Sequence, residues 1–414
     1  TGQLNTLQLP QSAITPITTG TLIIGIAGDT GTMTIGATQL DDRTRFVANG
    51  GGGKFVVSGT ITSTVAAGAG VIGVQFIGSG STTVLSADIV TSGTAIEILD
   101  AVQVDAGTVT LNTTNGGATA GANITITGGT SGIFATSGST TNNLVVNAGT
   151  GGTALLGSLR GFGNGGGTGE LVNNLTVSAA ANTTLPSDNI LAGTVAITST
   201  NITLGADLTA GSTTAGGTLT LTGAVTLTSS VVLAGDGIAI NGGITGNNNN
   251  LTLDGNGGAS AANGAVSVSG SMGDIQGLTV QDAANANFSA VTAQTVQLSN
   301  TNTGDVNFAG NLAVAGQFAA ATGSSYNLAI VGATNTIGGP VSFVNTGSLT
   351  LGNSDTASTT IGSGLSRSNG TLLQGTVKFG GAVTLGSAEA TNGTGALTLT
   401  ADSLSLTHNG GNAF

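Results

Sequence analysis

Residues 219–227 read Leu-Thr-Leu-Thr-Gly-Ala-Val-Thr-Leu, two apolar-polar-apolar triplets separated by Thr, Gly and Ala. Successive side chains of a β-strand point to opposite faces, so each triplet places two branched side chains on one face and a threonine on the other. Gly, Asn, Asp or Ser residues follow such triplets along the chain and end each strand early. The same pattern recurs at Leu251-Thr-Leu253, Leu349-Thr-Leu351 and Leu397-Thr-Leu399. It predicts many short, interchangeable strands.

A second pattern places Asn directly before the aliphatic residues of a strand. Asn tolerates the left-handed backbone conformation and forms hydrogen bonds with nearby backbone groups, so it suits a corner between strands. We therefore expect these residues to turn the chain and to stack on an Asn of the next coil. The pattern occurs at Asn123, Asn143, Asn174, Asn201, Asn250, Asn311 and Asn327.

Repeated coils of this kind favour an all-β solenoid. One coil of about 20 residues holds too few aliphatic side chains to offset the entropy lost when its backbone is ordered. Neighbouring coils supply the missing backbone hydrogen bonds and cover the open faces of the core. We predict a right-handed parallel β-helix, with a small N-terminal β domain or cap as a further element.

Serial β-sandwich domains are the alternative architecture. The nine Asn-Gly dipeptides are hairpin signals and support it. However, aromatic residues make up 3% of the chain, fewer than several sandwich cores normally use, and the apolar pairs are short for sandwich strands. The sequence therefore favours the β-helix over the sandwiches.

One longer phrase appears twice. Residues 304–314 (GDVNFAGNLAV) resemble residues 375–385 (GTVKFGGAVTL), at an offset of 71 residues. This offset predicts that about three coils of twenty-odd residues separate the two phrases.

Residues 1–60 differ in composition from the rest of the chain. They contain two of the four prolines, and Arg43, Arg45 and Lys54 are three of the six basic residues. We predict that 1–60 form a cap or an intermolecular contact segment and that 61–414 form the solenoid repeat region.

Composition excludes several kinds of partner. Only 6% of the residues are charged, and the formal net charge is −12. Nucleic acids and anionic membranes bind clustered Lys and Arg, so neither is an expected partner. The chain also lacks an apolar run long enough for a transmembrane helix, and it contains no Cys, which suits export to an oxidising compartment.

Motifs for enzymatic chemistry are weak. Gly68-Ala-Gly-Val-Ile-Gly73 matches a dinucleotide-binding glycine pattern, but strand-like residues follow it where that motif needs a helix. His408 is the single His, and without Cys a soft-metal site is excluded. We predict no enzymatic activity and no bound cofactor.

Three aspartates keep a different possibility open. Asp236, Asp254 and Asp274 lie 18 and 20 residues apart, about one coil. If they stack, one carboxyl could act as an acid in polysaccharide cleavage. The same residues are the candidates for weak Ca²⁺ binding between molecules, although Asp236-Gly and Asp254-Gly are also ordinary turn dipeptides.

The phrases Gly223-Ala-Val-Thr-Leu227, residues 236–243 (DGIAINGG) and residues 306–314 (VNFAGNLAV) resemble those of large repetitive bacterial cell-surface proteins. These include filamentous-haemagglutinin-like adhesins, autotransporter passengers, and surface-layer or rickettsial surface-antigen proteins. The resemblance covers roughly residues 100–410. It implies a right-handed β-helix at the bacterial surface and a role in adhesion, coat or filament formation, and it gives no active-site residues.

Three hypotheses of function follow. The first is a structural extracellular protein that self-assembles into a cell-surface filament, sheath or surface layer, with itself as partner. The second is an adhesin passenger shaft that attaches to a host cell, a neighbouring cell or a polysaccharide. The third is a polysaccharide-active β-helix enzyme.

Overall fold

The computed structural model describes residues 11–14, 20–48, 51–129, 131–136, 141–159, 171–191, 193–212, 215–256, 263–299, 304–321, 324–354, 356–390 and 398–406. The chain divides into two compact units, Thr1–Thr218 and Leu219–Phe414. Each unit is built from short parallel strands, and together they contain about 15 solenoid turns.

The first unit contains one four-residue helix, α1 (Gln11–Ile14), and twenty strands. In chain order the strands are β1 Leu22–Ile26, β2 Thr32–Ile35, β3 Thr38–Leu40, β4 Thr44–Ala48, β5 Lys54–Val57, β6 Ile61–Ser63, β7 Ile72–Ile77, β8 Thr82–Leu85, β9 Ile89–Thr91, β10 Ala95–Ile98, β11 Ala101–Val104, β12 Thr108–Asn112, β13 Ile124–Ile126, β14 Ile133–Ala135, β15 Asn143–Leu156, β16 Leu175–Leu185, β17 Asn189–Leu191, β18 Val195–Leu204, β19 Leu208–Ser212 and β20 Ala215–Gly216.

All the described secondary-structure elements of the second unit are β-strands. In chain order they are β21 Leu219–Leu227, β22 Val231–Ala234, β23 Ile238–Asn241, β24 Ile244–Asp254, β25 Val266–Val268, β26 Met272–Gln281, β27 Ala286–Phe288, β28 Val291–Ser299, β29 Asp305–Phe308, β30 Leu312–Val314, β31 Phe318–Ala320, β32 Asn327–Ile330, β33 Thr334–Ile337, β34 Val341–Phe343, β35 Leu349–Leu351, β36 Ser358–Ile361, β37 Leu365–Leu373, β38 Thr376–Phe379, β39 Ala382–Ala390, β40 Thr398–Thr400 and β41 Ser403–Leu406.

Strands of successive coils pair in parallel. In the first unit β1 pairs with β4, β2 with β5 and β3 with β6, and each series continues into the following coils. In the second unit one series runs through β21, β23, β25, β27, β29, β32 and β35. Within the described residues, antiparallel pairing occurs only at β19–β20 and at the bridge between Ser92 and Thr114. The predicted parallel β-helix is confirmed, and the β-sandwich alternative is wrong.

The strands of residues 1–60 belong to this parallel arrangement. Strands β1 to β5 pair with strands of the next coil, and β4 and β5 continue into β7 and β8. The boundary at residue 60 stays a prediction.

Aliphatic and aromatic side chains fill the interior of each coil. Leu219 and Leu221 are fully buried, whereas Thr220 between them is partly exposed, as the triplet pattern predicts. In the second unit four buried phenylalanines are in sequential contact, with ring centroids 5.2, 5.6 and 5.1 Å apart; they are Phe288, Phe308, Phe318 and Phe343.

Asn residues at the corners connect neighbouring coils. Asn174 Nδ2 donates to Asn143 Oδ1 at 2.8 Å, which confirms the predicted stacking at this corner. Asn174 Oδ1 also accepts a hydrogen bond from the backbone N–H of Thr194 at 2.7 Å. Asn311 Oδ1 accepts from the backbone N–H of Thr334 at 3.0 Å in the same way. The amide therefore also satisfies a backbone donor of the following coil, at a residue next to or within its strand.

Three stacked glycines show why the corners need residues without a side chain. A Cβ on Gly362 would lie 2.3 Å from the carbonyl oxygen of Gly338, and a Cβ on Gly380 would lie 2.6 Å from that of Gly362. The coils approach too closely at this corner for any side chain.

Gly362→Ala is expected to lower the free energy of unfolding by about 1–3 kcal/mol, because the added methyl group must push two backbones apart. The measurement is the midpoint of chemical denaturation. Gly370→Ala is the control, since a Cβ there meets no atom within 4 Å and the backbone is not left-handed. Equal midpoints for the two variants would contradict the steric explanation.

Candidate functional site

The structure separates the three aspartates singled out from the sequence. Asp254 has Ala234 as register partner in the preceding coil and Gln281 in the following one. Asp236 therefore lies in the preceding coil, two residues after Ala234, and is not the residue that stacks on Asp254. Asp274 lies seven residues before Gln281 in β26 and is exposed. Asp254 and Asp274 do not stack, so the geometry for a shared catalytic proton is absent between them.

Asp254 has a different acidic neighbour. Its Oδ1 accepts from the backbone N–H of Asn256 at 2.9 Å, and its Oδ2 accepts from Gln281 Nε2 at 3.4 Å. Partial burial raises the pKa of this carboxyl, the Asn256 N–H lowers it, and the negative charge of Asp282 raises it further. The spacing of the aspartates in the sequence did not indicate that Asp254 and Asp282 are neighbours, because 28 residues separate them.

Within the described part of the chain, no three His, Cys, Asp or Glu side chains lie close enough to hold a metal ion. His408 lies outside the described residues. Asp236 is half-buried, and its Oδ1 has no hydrogen-bond partner among the described residues. Weak Ca²⁺ binding at Asp236, Asp254 or Asp274 stays a prediction.

One carboxyl group is buried inside the first unit. Asp100, only 1% exposed, lies between β10 and β11. Its Oδ1 accepts from Thr83 Oγ1 at 2.8 Å, and its Oδ2 accepts from Ser81 Oγ at 3.1 Å. Burial raises the pKa of Asp100 to about 6, although the two hydroxyl donors lower it.

One arginine is buried inside the second unit. Arg367 Nη1 donates to the carbonyl oxygens of Phe343 at 2.8 Å and Asn345 at 3.0 Å, and Nη2 donates to that of Gly347. Burial lowers the pKa of Arg367 and raises that of the nearby Tyr326. The guanidinium thus joins β37 to the carbonyl groups of a corner in the preceding coil.

The short helix α1 covers one strand of the first coil. The side-chain amide of Gln11 mimics a neighbouring strand: Oε1 accepts from the backbone N–H of Gln39 at 2.9 Å, and Nε2 donates to its carbonyl at 2.8 Å. Ile14 is buried beside the core residues of this coil. The edge of β3 is therefore protected.

Among the described strands, β1 has one edge that is not paired. β4 is its partner on one side, and no other described strand pairs with it. Leu22 donates its N–H to the Arg43 carbonyl, so the alternating backbone groups of Ile23 and Gly25 point away from β4. Ile23 is 58% exposed and Ile26 is 70% exposed. Ile26 is the register partner of the buried Ala48, so a core position of this coil is open to solvent.

Two arginines lie beside β1 on the side of its partner strand: Arg43 precedes β4, and Arg45 is the register partner of Ile23. Arg43 and Arg45 line one pocket together with Thr21 and Gln75. Arg45 Nε donates to Gln75 Oε1 at 2.7 Å, and Gln75 Nε2 donates to Glu97 Oε2 at 2.6 Å, which holds Arg45 in place. The described residues give the Arg43 side chain no hydrogen-bond partner. The surface formed by β1, Arg43 and Arg45, here called the β1 edge, therefore combines unpaired backbone, apolar side chains and positive charge.

No family model, curated protein or solved structure matches this chain. None of the described helices has the length and hydropathy to cross a lipid bilayer. The large repetitive β-solenoid is consistent with β-helix surface proteins as a class. Among the described residues, the β1 edge is a surface where an unpaired strand, exposed isoleucines and two arginines occur together.

Proposed function

We propose that this chain is a structural extracellular protein that self-assembles into a cell-surface filament, sheath or surface layer. A free parallel strand edge offers unpaired N–H and C=O groups to another chain. Natural proteins normally protect such edges with Lys, Pro or a covering segment, as α1 does at β3. The β1 edge instead exposes Ile23 and Ile26, and this observation carries the proposal.

Two further features support the extracellular part of the proposal. The chain contains no Cys in 414 residues, which suits a protein that folds in an oxidising compartment. Its repeated strand phrases resemble those of bacterial surface proteins.

We also propose that the chain has no catalytic role. The separation of Asp254 from Asp274 supports this, because acid catalysis of glycan cleavage uses two carboxyl groups that face one substrate. Cleavage of a glycan by the purified chain would contradict this proposal. The double variant Asp254→Asn with Asp274→Asn would then show whether these two carboxyl groups take part in the cleavage.

Assembly is expected to be visible by electron microscopy as regular filaments or sheets and by sedimentation as species that grow with protein concentration. Both measurements are made with Ca²⁺ and with a chelator, which also tests the predicted Ca²⁺ binding. A chain that stays monomeric over a wide range of concentration in both conditions would contradict the proposed function.

The double variant Ile23→Lys with Ile26→Lys is expected to weaken assembly by at least roughly tenfold in concentration, because charge at an edge strand opposes pairing. Val344→Lys is the matched control, since Val344 is another exposed aliphatic residue (41%) in the second unit. If both variants assemble as the original chain does, the β1 edge is not the contact.

A further inference from the structure

The β1 edge needs a complementary surface, and the described residues offer one strand that fits it. This inference rests on the proposed self-assembly. We propose that β41 of a second copy pairs in parallel with the free edge of β1, and that Asp402 of the second copy forms an ion pair with Arg43.

Strand β41, like β1, has a described partner strand on one side only. It pairs with β39 on one side, and no other described strand pairs with it. Leu404 is the register partner of Val383, which is 1% exposed, whereas Leu404 itself is 47% exposed. A core-facing leucine therefore lies open here, as Ile26 does at β1. Pairing the two strands would cover both core positions and satisfy both rows of backbone groups.

The direction of the strands allows this pairing. β37, β39 and β41 form a parallel series, as do β1, β4 and β7. A second copy can thus continue one series into the other without reversing a strand. Because side chains alternate between faces, core-facing Leu404 must align with a core-facing residue of β1, such as Ile24.

This register brings opposite charges together. With Leu404 beside Ile24, Asp402 lies beside Leu22, whose N–H donates to the Arg43 carbonyl at 2.7 Å. Arg43 lies just before β4, on the far side of β1 from the incoming strand, so about 9.6 Å separates the backbones of Asp402 and Arg43. Both residues are exposed and precede the first residue of their strands, and an extended Arg43 side chain spans this distance to the Asp402 carboxylate.

The overall charge distribution favours the same contact. Residues 219–414 contain eight Asp or Glu residues and two basic residues, Arg367 and Lys378. Arg367 is buried, so most of the charged residues left in the second unit are acidic. The two arginines at the β1 edge therefore attract the second unit of another copy and repel few groups on it.

The test is a charge-reversal cycle measured by sedimentation velocity over a wide concentration range. Arg43→Asp alone and Asp402→Arg alone are each expected to raise the concentration needed for assembly by roughly tenfold, because each places like charges opposite each other. The double variant restores the opposite charges and is expected to assemble at close to the original concentration. Lys378→Asp, an equal change of charge at another exposed basic residue, is the control.

The outcomes separate the inference from the proposed function. If the original chain assembles and both single variants assemble equally well, the inference is wrong and self-assembly stands. If the single variants assemble less well and the double variant does not recover the original assembly, Arg43 contacts some other group and the β41 pairing is wrong. If the original chain stays monomeric, the proposed function itself fails. Circular dichroism of each variant confirms that the solenoid is folded.

Discussion

Phe308→Ala is expected to lower the free energy of unfolding of the second unit by about 3–5 kcal/mol. Phe308 is fully buried, between Phe288 at 5.2 Å and Phe318 at 5.6 Å. Truncation removes the transfer free energy of the ring and leaves a cavity that the stacked coils above and below cannot close. It also removes an edge-to-face contact with Phe318, worth about 0.5–1.5 kcal/mol beyond the area it buries.

The chain contains its own probe for this measurement. Tyr326 is the single tyrosine, there is no tryptophan, and Tyr326 is fully buried in the second unit. Its fluorescence during chemical denaturation therefore reports this unit alone. Ser366→Ala, at an exposed position of the same unit, is the control and should change stability by less than about 0.5 kcal/mol. A loss below about 1 kcal/mol for Phe308→Ala would show that this core is not tightly packed.

The sequence predicted the fold because the strand pattern is local. Two core-facing aliphatic residues around one outward residue are enough to define a strand, and residues 219–227 satisfy this on two neighbouring faces of one coil. The parallel arrangement followed because strands this short cannot form a core alone. The short strands and their parallel arrangement could both be predicted without knowing how many residues form one coil.

Register could not be predicted, because coil length varies. The step from Leu219 to Ile238 is 19 residues, and the next step, to Val266, is 28. About three coils of twenty-odd residues separate residues 304–314 from residues 375–385, as predicted, but the two phrases are not in register. Three coils after Val306 comes Thr371, whereas Val377 pairs with Thr359 in a different series. The same phrase can serve any face of the solenoid, since each face requires only two core residues.

The variable coil length also explains what was missed at the candidate sites. The spacing of Asp236, Asp254 and Asp274 resembled one coil, but the coil after Asp254 is 27 residues long and brings Gln281 beside it. The free edge of β1 had no signal of its own, because a strand in the sequence looks the same whether one or two strands pair with it. The basic cluster of residues 43–54 was visible in the sequence, and the cap or contact segment proposed for residues 1–60 stays a prediction.

As the pH rises, ionisation of Asp100 is expected to lower the free energy of unfolding of the first unit by about 3 kcal/mol. The variant Asp100→Asn is expected to abolish this loss. The pKa of Asp100 is about 6 in the folded chain, against 3.8 for the ordinary carboxyl, and each unit of difference corresponds to about 1.4 kcal/mol. The folded state holds the proton more tightly than the unfolded state. The stabilising effect of protonated Asp100 is therefore complete below about pH 4 and is lost as the pH rises through about 6.

The cause is desolvation, since Asp100 is 1% exposed and, in the part of the chain that the structure describes, only the hydroxyls of Ser81 and Thr83 donate to its carboxylate from side chains. An Asn keeps the shape and remains uncharged at every pH, so it avoids the cost of burying the anion. The variant should match the original chain near pH 4 and be the more stable of the two above about pH 7.

The measurement is chemical denaturation from about pH 4 to about pH 8, followed by far-ultraviolet circular dichroism. The quantity compared is the difference in the free energy of unfolding between the variant and the original chain. The contributions of the other carboxyl groups cancel in this difference. These include Asp41, whose pKa is lowered by hydrogen bonds from Thr64 and Gln39 and which acts in the opposite direction. Asp105→Asn, at an exposed carboxyl of the same unit, shows whether removing any one negative charge has the same effect. Parallel stability curves for Asp100→Asn and the original chain would mean that Asp100 stays ionised inside the fold, and the stack of coils around it would then have to be open to water.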